Sequence, residues 1–348
     1  MKNILFTLAL LISFISFGQT AEEYYKMGVA KFQSGDDKGA IADYTKAIEI
    51  NPEIFVLYFD RGLSKHNLGD YTAAIADYNK AIELFNKIAS TTLTLDETEY
   101  VSSLYHHRGS AKYDLKDYTA AIVDYNKAIE MYPYDWWWWY YRGVAKFSIG
   151  DDKGAIADYT KAIEINPKDA QTYGRRGFSK AGLGDYTGAI ADFTKTMEVD
   201  PDYNVYYSRG KAKRILGDNT GAIKDYTKAI ELDPAATTYY DRGLSKHNLG
   251  DYTGAIADFT QAIELDPENA GPPLSNRGQT KYDLEDYTGA ISDLTKSIEI
   301  IPNNGWAYYI RGLSKQKIED LNSACTDWKK AAELGETIAA ELVTNNCN

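Results

Sequence analysis

Histidine is scarce in this chain, with four residues, His66, His106, His107 and His247. His106 and His107 are adjacent and diverge on a helix, whereas helical metal ligands sit at i, i+3 or i, i+4. No metal site is expected, and these side chains read as packing or surface residues. The chain also lacks a Walker-type phosphate loop, a Gly-x-Ser-x-Gly elbow and any carboxylate pair that stands apart from its repeating pattern. No enzyme activity and no cofactor are expected. Positive charge is short as well: 38 Lys and Arg against 50 Asp and Glu give a net charge of −12. That balance excludes the basic stripe of a general nucleic-acid binder. It suits solubility and attraction for basic or neutral partners. Prolines are few, at nine.

Long apolar runs are missing beyond the first 20 residues, MKNILFTLALLISFISFGQT. There Lys2 precedes an apolar stretch from Ile4 to Phe17, and Ser16 and Gly18 supply small residues. The stretch is short of the ~20 residues that span a bilayer. It reads as a secretory signal peptide over 1–19, cut near Gly18 or Gln19. Loss of Lys2 would leave 37 − 50 = −13 charges. The expected destination is the periplasm, the cell envelope or the medium.

What is abundant is tyrosine, 29 residues, and self-similarity. The phrase GAIADYTKAIEINP occurs at 39–52 and again at 154–167. Alignment on one glycine gives nine units, at Gly28, Gly62, Gly109, Gly143, Gly177, Gly210, Gly243, Gly278 and Gly312. Their spacings are 34, 47, 34, 34, 33, 33, 35 and 34. An alanine follows each glycine by 12 residues, from Ala40 to Ala324, and a proline follows by another 12 in seven of the nine units. Each unit reads as two helices. The first stops at Gly-Asp in six units, where glycine suits a left-handed cap. The following aspartate, from Asp36 to Asp320, is placed to N-cap the second helix. The second helix carries an inward stripe such as Ala74, Tyr78 and Ala81 at i, i+4 and i+7, and proline then bars its continuation.

A 34-residue helix-turn-helix unit of this kind resembles the tetratricopeptide repeat family. The resemblance rests on the aromatic four residues before the glycine (Tyr58, Trp139, Tyr173), the glycine, the alanine, the next aromatic (Tyr78, Tyr159, Phe193) and the closing proline. It covers residues 21–334 in nine repeats. Departures are local: Met27 replaces arginine, Leu274 an aromatic, and Trp328 a tyrosine. An insertion at about 85–98, read as a longer second helix followed by a polar loop, lengthens the second unit, and 335–348 reads as a capping helix. The resemblance implies an all-α, right-handed superhelix, first helices lining a concave groove and second helices the convex face. It implies a protein or peptide partner held in that groove.

Lysine lies three residues after the glycine in all nine units, and arginine directly before it in eight. An aspartate, Asp43 through Asp327, follows the repeat alanine by three in all nine. These predict a ladder of ion pairs that fixes register: Arg61, Arg142 and Arg209 with aspartates such as Asp124, Asp158 and Asp225, Arg142 facing either Asp124 or Asp158. Specificity should lie where units differ. The expected groove positions are six and three residues before the glycine and one and four after it. They include Trp137, Tyr140, Val144 and Phe147 in the fourth unit, with Phe59, Phe178, Tyr207 and Tyr240 in others. They hold no asparagine after the glycine, which disfavours recognition of a chaperone tail by a carboxylate clamp. In the run Trp136 to Trp139, Trp139 occupies the core-aromatic position and Trp136 and Trp138 are expected to wedge against the preceding unit. Trp137 and Tyr140 are left for either a binding hot spot or packing between first helices. A glycan held by groove aromatics and a structural subunit that binds through its convex face stay open as alternatives. Cys325 and Cys347 could form a disulfide pinning the capping helix.

Overall fold

The computed structural model describes residues 18–88 and 94–347, so the signal segment read over 1–19 lies almost wholly outside the described residues. The described chain is helical throughout, with short connections. It divides into two compact units, Met1–Ser179 and Lys180–Asn348, the division falling inside one helix.

The first unit holds α1 Gly18–Gln33, α2 Asp37–Ile50, α3 Phe55–Asn67, α4 Tyr71–Ile88, α5 Leu95–Asp114, α6 Tyr118–Met131, α7 Trp136–Ser148, α8 Asp152–Ile165 and most of α9 Ala170–Gly182. From α1 to α8, each odd-numbered helix packs on the even-numbered helix after it, and each pair packs on the next. The second unit repeats the plan with α10 Tyr186–Met197, α11 Tyr203–Ile215, α12 Asn219–Leu232, α13 Ala236–Asn248, α14 Tyr252–Leu265, α15 Gly271–Asp283, α16 Tyr287–Ile300, α17 Gly305–Lys317, α18 Leu321–Glu333 and α19 Thr337–Asn346. Each unit is therefore an all-α stack of antiparallel helix pairs, the tetratricopeptide architecture that the repeat implied.

The local rules act in every pair. The aspartate before each second helix accepts a backbone N–H three residues on, as in Gly39 to Asp36 at 2.9 Å and Gly154 to Asp151 at 2.9 Å. The residue before that aspartate is left-handed. Glycine supplies it in six repeats, and Lys116, Glu285 and Glu319 do so with φ of 65°, 61° and 66° in the others. The inward stripe is fully buried, as at Ala74, Tyr78 and Ala81. The anchoring glycine is required by that stripe. A Cβ on Gly143 would stand 2.7 Å from Cε1 of Tyr159, and one on Gly62 2.7 Å from Cε1 of Tyr78. The first and second helices thus touch backbone to ring.

The insertion coincides with two unusually long helices. α4 has 18 residues and runs to Ile88. α5 has 20 residues, where α3 and α7 have 13. Thr94 and Glu97 close a capping box at its start. Residues 89–93 of the insertion lie outside the described residues.

Candidate functional site: the face of the first helices

A charged clamp repeats along each unit. Asp158 accepts two hydrogen bonds from Arg142, at 2.8 and 2.6 Å, and an ion pair from Lys146 at 2.8 Å. Arg61 and Lys65 hold Asp77, Arg209 and Lys213 hold Asp225, and Arg311 and Lys315 hold Asp327 in the same way. Of the two partners open to Arg142, the structure takes Asp158 of its own repeat. Asp124 belongs to Arg108 and Lys112. The remaining guanidinium nitrogen crosses to the preceding repeat: Arg142 donates to Asn126 at 2.8 Å, Arg61 to Thr45 at 3.1 Å and Arg209 to Thr194 at 3.0 Å. One side chain therefore ties the two helices of a repeat and the repeat before it. In Asp293 burial disfavours the charged form, yet Arg277 and Lys281 outweigh it and hold the carboxyl below the usual carboxylate range. The first repeat, with Met27, keeps only the lysine arm, Lys31 to Asp43 at 2.6 Å.

The family aromatic four residues before the glycine belongs to this clamp as well as to the packing of the core, where Tyr58 is buried and Trp139 packs against the clusters around Tyr159 and Trp138. Trp139 is half-buried, and the Arg142 guanidinium lies 4.9 Å from its ring centre. Tyr58, Tyr105, Tyr173, Tyr239 and Tyr308 cover their own arginines at 5.3–5.6 Å. Trp139 also donates its indole N–H to the Pro133 carbonyl at 2.9 Å.

The groove assignment needs correction at the position three residues before the glycine. Tyr140 and Phe59 are buried, not open to a partner, and Tyr207 and Tyr240 are half-buried. Each reaches sideways to the next first helix. Tyr207 donates to Asp241 at 2.9 Å, and the Tyr240 hydroxyl accepts from Asn276 at 3.0 Å. Tyr25 donates to Asp60, and Tyr140 accepts from Arg175. Phe59 packs against His107 with ring centres 5.4 Å apart, and His106 against Tyr141 at 4.9 Å. The partner always lies two residues before the next glycine. A second lateral row runs four residues after the glycine: His66 Nε2 meets Asp114 at 2.6 Å and the Tyr113 hydroxyl meets Ser148 at 3.1 Å. These rows are not visible in the sequence of a single repeat, whose periodicity shows which side chains face out and not how close neighbouring first helices stand. The signal was present as a polar or aromatic residue at both positions in successive repeats.

The tryptophan run separates by position. Trp138 is buried against Ala128 and Ile129 of α6 and stands 4.3 Å from the His106 ring, so it wedges against the preceding pair. Trp136 does not: it packs with Tyr140, Ala155, Tyr159 and Ala162 of its own repeat. Trp137 is left 38% exposed. Its ring stacks on Trp136 at 4.2 Å and on Tyr141 at 5.4 Å, and Tyr140 meets it edge-on at 5.7 Å. Val144 is half-buried, while Phe147 and Phe178 are exposed.

Burial controls the buried titratable groups of the first unit. It pushes His106 well below its ordinary value and His107 down to about 4, neighbouring imidazoles adding to the effect. It pushes the Asp60 carboxyl up to about 7, against the hydrogen bond from Tyr25. At the other end Cys325 and Cys347 are disulfide-bonded with Cα atoms 5.6 Å apart, joining α18 to the turn after α19. Among the described residues no cluster of His, Cys, Asp and Glu could hold a metal ion, and no helix is long and apolar enough to cross a membrane.

Tetratricopeptide repeat models match residues 21–54, 56–87, 102–135, 136–169, 236–269 and 273–304, and a TPR repeat model matches 210–250. Together they cover more than half of the chain. No curated protein matches it. Among solved structures, the C-terminal part of a TPR repeat-containing protein from Cytophaga hutchinsonii aligns with a TM-score of 0.57 at 20% identity, over 71% of this chain and 97% of that one. A tetratricopeptide repeat protein from Parabacteroides merdae aligns with 0.50 at 21% identity, over 71% and 94%. YrrB, described as a TPR protein with an unusual peptide-binding site, aligns with 0.50 at 24% identity, over 53% and 95%. At these identities the three show likeness of fold.

Proposed function

The chain belongs to the tetratricopeptide repeat family, and from that premise we propose that it is an exported, non-enzymatic scaffold that binds a protein or peptide segment on the face of its first helices. Proteins of this architecture serve in general as interaction scaffolds, and one structural neighbour is described as binding peptide. Export rests on the signal-like segment at 1–19.

The observation that carries the reading is Trp137. While the aromatics three residues before the glycine turn sideways, this indole, six before it, stays exposed; Trp306 is the one other aromatic at that position and is exposed to the same degree. The Trp137 indole is held still by Trp136, Tyr140 and Tyr141. A large aromatic that is already immobilised loses little entropy on binding, and such residues dominate interface energies. Exposed Phe147 and half-buried Val144 continue the apolar surface along α7. A glycan partner needs the flat face of a ring for stacking, and two near-parallel rings already lie against this one.

The test is affinity capture from envelope extract with the mature protein and Trp137→Ala, identified by mass spectrometry. Tyr140 is left intact because it is buried. A protein captured by the wild type and lost by the folded variant supports the reading. Equal capture by both removes Trp137 from the binding surface, and salt-insensitive capture of polysaccharide replaces peptide with glycan.

A further inference from the structure

An insertion in the repeat and a change of composition that keeps its phase lie side by side in the first unit. One is the insertion, which lengthens α5 at its N-terminus. The other is the aromatic run that opens at Tyr132. The two meet because α5 packs along α6, which sets Met131, just before Tyr132, against the cluster that holds Val101 and Tyr100 and leaves the Tyr132 phenol near the Glu99 carboxylate. Asp96 and Asp135 stand near the same phenol, which burial and these three carboxylates together push up.

The resulting surface is aromatic at its centre and acidic around it. Tyr134 is 67% exposed and packs edge-on against Tyr132 with ring centres 5.5 Å apart. Asp135 accepts the Trp137 backbone N–H at 2.9 Å and so caps α7 next to this surface. Leu95, at the start of α5, is also exposed. The rim is Asp96, Glu97, Glu99 and Asp135. Their hydrogen bonds run to a capping box, a helix N-terminus and a phenol, and none is in an ion pair with Lys or Arg among the described residues. The lysines toward the ends of α4 and α6 are engaged elsewhere, Lys87 by Glu83 and Lys127 by Glu130.

We propose that Tyr134, held edge-on by Tyr132 and ringed by Asp96, Glu97, Glu99 and Asp135, forms a docking surface for an arginine-bearing segment of a partner protein. A guanidinium is flat enough to lie on an aromatic ring and forked enough to engage a carboxylate at the same time. Here Tyr134 offers the ring, and Asp135 and the acidic residues at the start of α5 offer the carboxylates. A second copy of this chain is a poor occupant, because its charge of −12 would bring acid against acid. The proposal deepens the scaffold reading and rests on it: it names the chemistry of the segment that the Trp137 region takes.

The probe is a fluorescein-labelled peptide of four Gly-Arg repeats, followed by anisotropy at low and moderate salt, with Gly-Lys and Gly-Glu peptides beside it. The expected result is binding of the arginine peptide, weaker binding of the lysine peptide and none of the glutamate peptide. Tyr134→Ala and Asp96→Asn/Glu99→Gln, both on the surface, should each weaken arginine-peptide binding by about five-fold or more. Undiminished binding by both variants, or equal binding of lysine and arginine peptides, overturns the proposal, since diffuse negative charge then accounts for it. The same variants in the envelope capture separate the two readings. A natural partner lost with Trp137→Ala but kept by both surface variants sinks this proposal and leaves the scaffold reading standing.

Discussion

The clamp on Asp158 gives the sharpest stability prediction. The carboxylate is 3% exposed and takes Arg142 bidentately and Lys146 singly, while those two cations are 15% and 19% exposed. Asp158→Ala therefore strands two positive charges in a seam that water reaches at one edge only. Breaking a buried pair by removing one partner costs roughly 3–5 kcal/mol. The guanidinium keeps its bond to Asn126 and its seat over Trp139, so the loss should fall at the lower end, about 3 kcal/mol. Arg142→Leu should cost less, about 1–2 kcal/mol, because Lys146 still neutralises Asp158. Replacing Arg142, Lys146 and Asp158 together with methionine should recover to within about 1 kcal/mol of the wild type. Hydrogen exchange read repeat by repeat is the assay. In a stack of nearest-neighbour interfaces the lost protection should concentrate in α6–α8 and fade with distance. A cost below about 1 kcal/mol for Asp158→Ala would refute the reasoning, as would a loss spread evenly over all helices. So would Arg142→Leu that melts normally yet abolishes capture, which would make the ladder a binding surface.

Gly143→Ala sets a gain in helix propensity of about 1 kcal/mol against a Cβ placed 2.7 Å from the buried Tyr159 ring, and overpacking should win by about 1–2 kcal/mol in chemical denaturation. A more stable variant would mean that the ring has room to move. The buried imidazoles make stability depend on pH. In the unfolded chain they take up protons below about 6.5, while in the folded chain His107 resists until about 4 and His106 further. Stability should therefore fall as pH drops from about 6.5 towards 4, and His106→Phe should flatten the slope of melting temperature against pH. Asp60 works the other way. Its folded carboxyl at about 7 contributes stability fully below about 4 that is lost as pH rises through 7, so Asp60→Asn should steepen the acid loss. Reduction, or Cys325→Ser with Cys347→Ser, should lower exchange protection in α18 and α19 by up to ~3 kcal/mol and leave α1–α4 unchanged. Two thiols that label in the untreated native protein would remove the disulfide from the account.

Much of the fold is legible because each rule is local or exactly periodic in sequence. Asp151 caps a helix through an N–H three residues away, and Gly143 faces Tyr159 within the same repeat. Such contacts recur with every copy, so nine copies state them nine times. The long α5 is less legible. The insertion is visible as a change of spacing, but Thr94 and Glu97 mark a helix start only once the capping box is weighed as a pair. The partner of Arg142 stays open in the sequence for a similar reason. Aspartates sixteen residues after it and eighteen before it both carry the right chemistry, and the choice follows from the way α7 lies on α8.

The groove residues were the hardest to read, and their misreading says where specificity can reside. A helical wheel treats a first helix as if it had one neighbour, its own second helix, and assigns the opposite face to solvent. In each unit a first helix has first helices beside it as well, and these take the tyrosine three residues before the glycine. Tyr140, Tyr207 and Tyr240 spend their hydroxyls on Arg175, Asp241 and Asn276 of the next repeat. Side chains bound in this way set the angle between repeats and are withdrawn from ligands. The proposed recognition surface lies farther toward the helix start, at the level of Trp137, beside loops of unequal length. Variation in those loops alters the surface without disturbing the lateral rows, since across the 47-residue spacing Phe59 still meets His107 and His66 still meets Asp114. An insertion that lengthens α5 and an aromatic run that opens α7 are thus changes the stack can absorb, and they fall on the same edge of the first unit.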